Sequence, residues 1–194
     1  MNCIFLVVPV ALFFKTVFEY KKYWVLRDYN ILFFRTFVGA AIPYGNSENI
    51  PCARSYSAGG SNELRAWRTF DLGPGGEVNN LEFRVATFKL VGNIEYRFKL
   101  TDKINSALFI DAGNIWDITN SNLVSEEGKL TSLSSLKNTA VGSGLGLRYD
   151  FGFLVFRFDV GFKTYEPYLL SNNKWFVNYN FGSAVYNIGI NYPF

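Results

Sequence analysis

The residues able to do chemistry in this chain are arginines and carboxylates. The 194 residues contain no histidine, so a neutral-pH general base lacks its usual group. A metal site would have to use carboxylates, which argues against zinc. There is no G-x-S-x-G nucleophile elbow and no phosphate-cradling glycine loop. Asp111 and Asp159 could be imagined as paired carboxylates, but each alternates with apolar neighbours as wall residues do. The sequence therefore predicts no catalytic residue, no metal and no cofactor, in a protein that is not an enzyme. The net charge of +3 is too small to argue for nucleic acid as a partner. Cys3 and Cys52 are read as free.

The spacing does suggest a charged group delivered by a loop. Residues Gly59 to Gly76 read GGSNELRAWRTFDLGPGG, with Arg65, Trp67 and Arg68 between two glycine pairs. Glycine lets a backbone fold back on itself, so an arginine here can be carried into a polar interior. The expectation is that this loop turns inward and that the segments around it form the wall it enters.

Those segments alternate apolar and polar residues, the period of a half-buried strand. Strands are predicted from Lys15 to about Trp24, at about Ile31–Ile42, Phe88–Leu100, Ile104–Trp116, Thr139–Asp150 and Phe153–Thr164, and from Ala184 to the terminus. In Phe88–Leu100, Leu90, Ile94, Tyr96 and Phe98 take one face, and Lys89, Asn93, Glu95 and Arg97 the other. In Thr139–Asp150, Gly142, Gly144 and Gly146 share the polar face, which leaves space for something to approach or reflects strand curvature. Glu95, Arg97, Arg148, Asp150, Arg157 and Asp159 are candidates for a mixed-charge wall. Residues 1–14, MNCIFLVVPVALFF, are apolar but too short to span as a helix and lack the features of a signal peptide. They are read as a partial strand, with Pro9 at an edge or end, or as the product of a truncated reading frame.

Alternation alone fits a soluble sandwich as well as a membrane barrel. Three further features favour the barrel. Connections alternate between short turns (27–30, 101–103, 151–152) and long loops (46–86, 117–138, 165–182), the pattern of barrels with short periplasmic turns and long external loops. Strands near ten residues match a tilted bilayer span. An aromatic content of 19% fits an apolar outer face. Seven strands, or eight with the first run, argue for part of a larger barrel. An eight-stranded barrel is filled by its own side chains and has no room for a loop of about forty residues.

Motifs in a fixed order then carry a resemblance. They are GGSNELRAW with a downstream LGPG, EYRF at Glu95–Phe98, FIDAGN at Phe109–Asn114, GSGLGLRYDF at Gly142–Phe151, and a last strand ending NIGINYPF. Over roughly residues 15–194 the chain resembles the BamA/TamA superfamily of outer-membrane assembly barrels, the bacterial surface antigen family. Its GGSN-LRAW-LGPG pattern looks like that of the TamA-like proteins of the Bacteroidetes type. The resemblance implies an all-β antiparallel transmembrane barrel, of which this chain supplies the last seven or so of sixteen strands, with an inward-folded loop.

It also implies site residues. Leu64, Arg65, Ala66 and Trp67 match the family's loop-lock motif, and Asp111 matches the inward aspartate that receives the arginine. Tyr186, Ile188, Ile190, Tyr192 and Phe194 match the terminal β-signal. The implied partners are outer-membrane lipid, unfolded β-barrel or exported client proteins, and periplasmic accessory subunits. The implied place is the outer membrane of a Gram-negative bacterium, and the implied role is assembly or translocation of other proteins. The family's POTRA domains and the first half of its barrel have no counterpart in these residues. Three alternatives therefore stand beside the assembly role: a passive pore or adhesin, the membrane anchor of a lipolytic enzyme, and a non-functional fragment.

Overall fold

A computed structural model describes residues 12–27, 30–45, 47, 50–78, 84–119 and 124–190. Seven strands follow one another in the chain: β1 (Phe13–Arg27), β2 (Asn30–Pro43), β3 (Phe88–Lys99), β4 (Ile104–Trp116), β5 (Ala140–Asp150), β6 (Val155–Tyr165) and β7 (Val185–Ile190). They form one open sheet in sequence order, every neighbour antiparallel. The all-β antiparallel wall expected from the alternation is thus present. β1 begins at Phe13, so the last two residues of the apolar N-terminal stretch are strand residues, while residues 1–11 lie outside the described part. Tyr192 and Phe194 of the β-signal also lie outside it.

The burial of the two faces separates a barrel from a sandwich. The apolar face is the exposed one: Phe18, Tyr20, Trp24, Ile94, Leu108, Ile110, Leu145, Leu147, Tyr186, Ile188 and Ile190 all stand open. The polar face is the buried one, with Arg35, Lys89, Asn93, Glu95, Asp111, Arg148, Arg157 and Asp159 almost wholly covered. A soluble sandwich does the opposite, because hydrophobic burial drives it. An apolar band this continuous across seven strands belongs against lipid. None of the described helices is long and apolar enough to cross a membrane; the wall crosses with strands.

The described parts of the segment between β2 and β3, chiefly 50–78 and 84–87, cover the inner face. Its two limbs pair through antiparallel bridges, Tyr56 with Ala86 and Ala58 with Leu72. The main hydrophobic cluster lies between loop and wall: Tyr56, Ala58, Leu64, Ala66, Trp67 and Leu72 from the loop meet Ala41, Val91, Ile115 and Ala140 from the strands. Of the mixed-charge wall candidates, Asp150 is placed elsewhere. It is exposed, and its carboxylate accepts a hydrogen bond from Gly152 N at 2.7 Å in the β5–β6 turn. A turn acceptor is what a short loop with a positive-φ glycine requires.

Candidate functional site

The strand register assembles the site from three neighbouring strands. Asn93 of β3 faces Asp111 of β4, which faces Gly142 of β5; one step along, Glu95 faces Phe109, which faces Gly144. Because side chains alternate with a period of two, all six positions open onto the same inner patch. Two carboxylates, an amide, an aromatic ring and two bare glycines form a floor.

The loop brings Arg65 onto that floor. Gly59 and Gly60 take positive φ, as does Gly73 on the returning limb. Side chains rarely adopt that conformation. Gly60 N donates to Trp67 O at 2.8 Å and Trp67 N to Leu64 O at 3.0 Å, closing the SNELRAW tip into a tight turn around Leu64–Trp67, all four fully buried. Arg65 Nε donates to Asp111 Oδ2 at 2.9 Å and Nη2 to Asp111 Oδ1 at 2.8 Å, a bidentate pair. Arg65 N adds a third bond to Asp111 Oδ2 at 3.1 Å. Nη1 donates to Glu95. The guanidinium carbon lies 3.5 Å from the centre of the Phe109 ring, a cation–π contact, and Gly144 makes room beneath it, since a Cβ there would stand 2.5 Å from Phe109 Cζ.

Around this pair the charges are linked. Asn93 Nδ2 donates to Asp111 Oδ1 at 2.8 Å and to the loop's Glu63 O at 2.5 Å. Glu95 also receives Arg97 Nε at 2.7 Å and Arg148 Nη2 at 3.2 Å, and Arg148 Nη1 reaches Asp159 Oδ1 at 2.8 Å. Lys89 pairs with Glu63 of the loop, and Arg35 donates to Asn62 O at 3.0 Å. Buried charges are costly unless paired and hydrogen-bonded. Here the loop charges Glu63 and Arg65 find their counterparts on the wall, so the loop's position is specified by charge as well as by shape.

Shape acts through the wall's glycines. A Cβ on Gly142 would stand 2.6 Å from Ala66 Cβ, and one on Gly161 of β6 2.5 Å from Arg65 O. Of the three glycines in β5, Gly142 alone faces the loop; Gly144 faces Phe109, and Gly146 the Arg148–Asp159 pair. Asn187 of β7 donates to Arg65 O at 2.9 Å, so the last described strand touches the motif directly. Trp67 Nε1 reaches Tyr168 OH at 3.4 Å, which donates to Glu166 Oε2 at 2.6 Å. Burial, and then the Glu166 carboxylate, push the Tyr168 hydroxyl above its ordinary value, which keeps it a donor.

The structure thus brings Leu64, Arg65, Ala66, Trp67 and Asp111 together. Arg68 does not join them and is exposed. Tyr186, Ile188 and Ile190 stand on the exposed face of β7. Sequence reasoning did not single out Glu95 as the second arm on Arg65, nor Asn93, Phe109, Gly161 and Asn187. The alternation placed Asn93, Phe109, Gly161 and Asn187 on the inner face, but nothing in it ranks one wall residue above another. The described residues hold no group of acidic or cysteine side chains able to ligate a metal.

A wall of this kind has counterparts. The chain is similar to the structure of BamA from Haemophilus ducreyi lacking POTRA domains 1–3, with a TM-score of 0.59 and 15% identity over 80% of this chain. The match takes in 33% of that structure's chain, so these residues span about a third of its length. At such low identity the likeness is one of fold, and it agrees with an open sheet that is part of a larger barrel. The sequence itself matches the model of the Omp85 superfamily domain over residues 8–178, a stretch that includes β1 to β6 and the whole inward loop. With most of the chain matched in this way, and with the wall and its loop arranged as described, the chain belongs to the Omp85 superfamily.

Proposed function

We propose that this chain forms the loop-bearing part of an outer-membrane barrel that assists the insertion or translocation of other β-rich proteins. Client strands would pair with the edge of the terminal strand by β-augmentation. The observation that carries the reading is the Arg65–Asp111–Glu95 cluster. A passive pore has no use for a buried arginine that holds a forty-residue loop against the wall, whereas a barrel whose wall must open and reclose needs an internal brace. Membership of the superfamily and the exposed apolar outer face support an outer-membrane location. Client proteins, lipid and periplasmic accessory subunits are the partners this reading requires.

The test uses the full-length protein in proteoliposomes, with insertion of an unfolded barrel client as the readout. Arg65→Ala leaves Asp111 buried without its cation and takes one of three arginines from Glu95, which costs about 3–5 kcal/mol, so client insertion should fall about tenfold or more while the barrel stays folded. The exchange of Arg65→Asp with Asp111→Arg should restore little, because Glu95 would then face an aspartate. Full client insertion by Arg65→Ala would sink the assembly reading in favour of a pore or an anchor.

A further inference from the structure

The edge of the wall beside β7 is not regular. After β6 the chain turns and pairs back: Glu166 N donates to Lys174 O at 3.0 Å, Tyr165 bridges to Trp175, and Phe176 N donates to Thr164 O at 2.8 Å. In unbroken register Gly161 would then face Tyr179. It faces Val185, so six residues are inserted at the edge. The departure occurs at Phe176, whose φ of 56° is a left-handed conformation uncommon for a bulky residue.

The inserted residues lie on the outer face. The Tyr179 ring stacks on Phe162 at 4.9 Å, and the Phe181 ring meets it edge-on at 5.2 Å. Tyr179 OH shares a hydrogen bond with Ser143 Oγ at 3.2 Å, and Tyr186 OH donates to Phe181 O at 2.9 Å. Phe162 and Ser143 share their alternation with the outward residues Phe156 and Leu145. Phe162 is buried on the lipid side of the wall because this segment covers it. The segment in turn exposes Trp175, Phe176, Val177 and Phe181. Its polar side chains are used internally: Asn178 Nδ2 donates to Glu166 Oε1 at 2.8 Å, and Asn180 Oδ1 accepts from Ser183 N at 2.9 Å.

We propose that residues 175–183 form an aromatic anchor that inserts into the outer-leaflet lipid beside the terminal strand, at the boundary of headgroups and acyl chains. The occupant is lipid because the segment continues the exposed apolar band of β6 and β7, and because it sits at the long-loop end of the strands. It also presents rings outward while the amides of Asn178 and Asn180 are spent on hydrogen bonds within the chain, as a surface in lipid must do with its polar groups. Tryptophan and tyrosine favour that depth, with the ring in the apolar phase and the polar edge near water. The inference rests on the outer face being lipid-facing, and the experiment separates the two.

The full-length protein is placed in phosphatidylcholine vesicles whose acyl chains carry bromine at defined carbons. Trp175 emission is taken as the difference between wild type and Trp175→Phe, and Trp24 emission likewise from Trp24→Phe. Circular dichroism checks that both variants keep their strand content. The expected result is that bromine near the headgroup quenches Trp175 roughly twofold or more, bromine near the chain end quenches it less, and aqueous acrylamide has little effect. Three results would overturn the proposal. If acrylamide quenches Trp175 and bromine does not while Trp24 is quenched by bromine, the segment stands in water. If neither tryptophan responds to bromine, the outer face is not in lipid and the reading beneath the proposal fails. If Trp175 is shielded from both quenchers only at high protein-to-lipid ratio, a second copy covers it.

Discussion

At the scale of single residues, the site works by what is missing as much as by what is present. Gly161 lets the Arg65 carbonyl lie directly on β6, and both atoms of the contact belong to backbone, which cannot swing aside. Gly161→Ala should therefore displace the loop, at a cost of about 1–3 kcal/mol, in the way overpacked cores do. Limited trypsin digestion reads this: cleavage after Arg65 and Arg68 should rise several-fold over wild type, with the strands intact. Unchanged cleavage would mean that the wall absorbs the methyl group and the glycine is not a seat for the loop. The contribution of Glu95 illustrates the limit of sequence at this scale. Its alternation with Arg97 and Asn93 put it on the polar face, and nothing distinguished it from other wall charges. Its pairing with Arg65 depends on a loop arriving from another part of the chain.

At the scale of elements, the inward loop and the terminal strand are joined. Asn187 holds the Arg65 carbonyl, and Arg157 Nη2 donates to the loop's Asn62 Oδ1 at 2.9 Å from the strand next to β7. β7 is short and has β6 as its one strand partner among the described residues. Its stability thus depends on the loop as well as on the ladder. Asn187→Ala should cost about 1 kcal/mol and speed amide hydrogen exchange in β7 roughly fivefold, while β3 and β4 stay protected. Equal protection in β7 would show that the ladder alone holds it. The strands and their faces were legible in the sequence because a period of two persists for more than ten residues in β3. The six-residue insertion within 177–184 was not, because an aromatic run after a strand reads simply as loop. Its position on the outer face follows from the register change at Phe176, which has no local sequence signal.

For the whole molecule, the inverted burial of the two faces decides between bilayer and water. Ile110, near the middle of β4, is half exposed on the outer face. On a soluble protein a lysine there would be harmless. In a barrel wall Ile110→Lys places charge against hydrocarbon and should cost about 2–4 kcal/mol, read as a lower urea midpoint for unfolding from vesicles. A midpoint unchanged by Lys would mean that lipid does not contact β4. The sheet's extent was legible at this scale too: seven strands with sorted loop lengths pointed to part of a wall, and the open sheet agrees.

The bond from Asn187 to the Arg65 carbonyl spans 122 residues of sequence. Contacts so distant form late, since the intervening chain must be ordered first. The loop is made early, between β2 and β3, yet its glycine seats and its carbonyl partner lie on β5, β6 and β7. While the chain is still being synthesised or threaded, the arginine has some of its carboxylate floor but no roof. Seating the loop therefore acts as a test of completeness: a chain that stops short of Asn187 can build most of its wall and still lack the last hold on its plug, which then opens to proteases more readily than in a finished molecule.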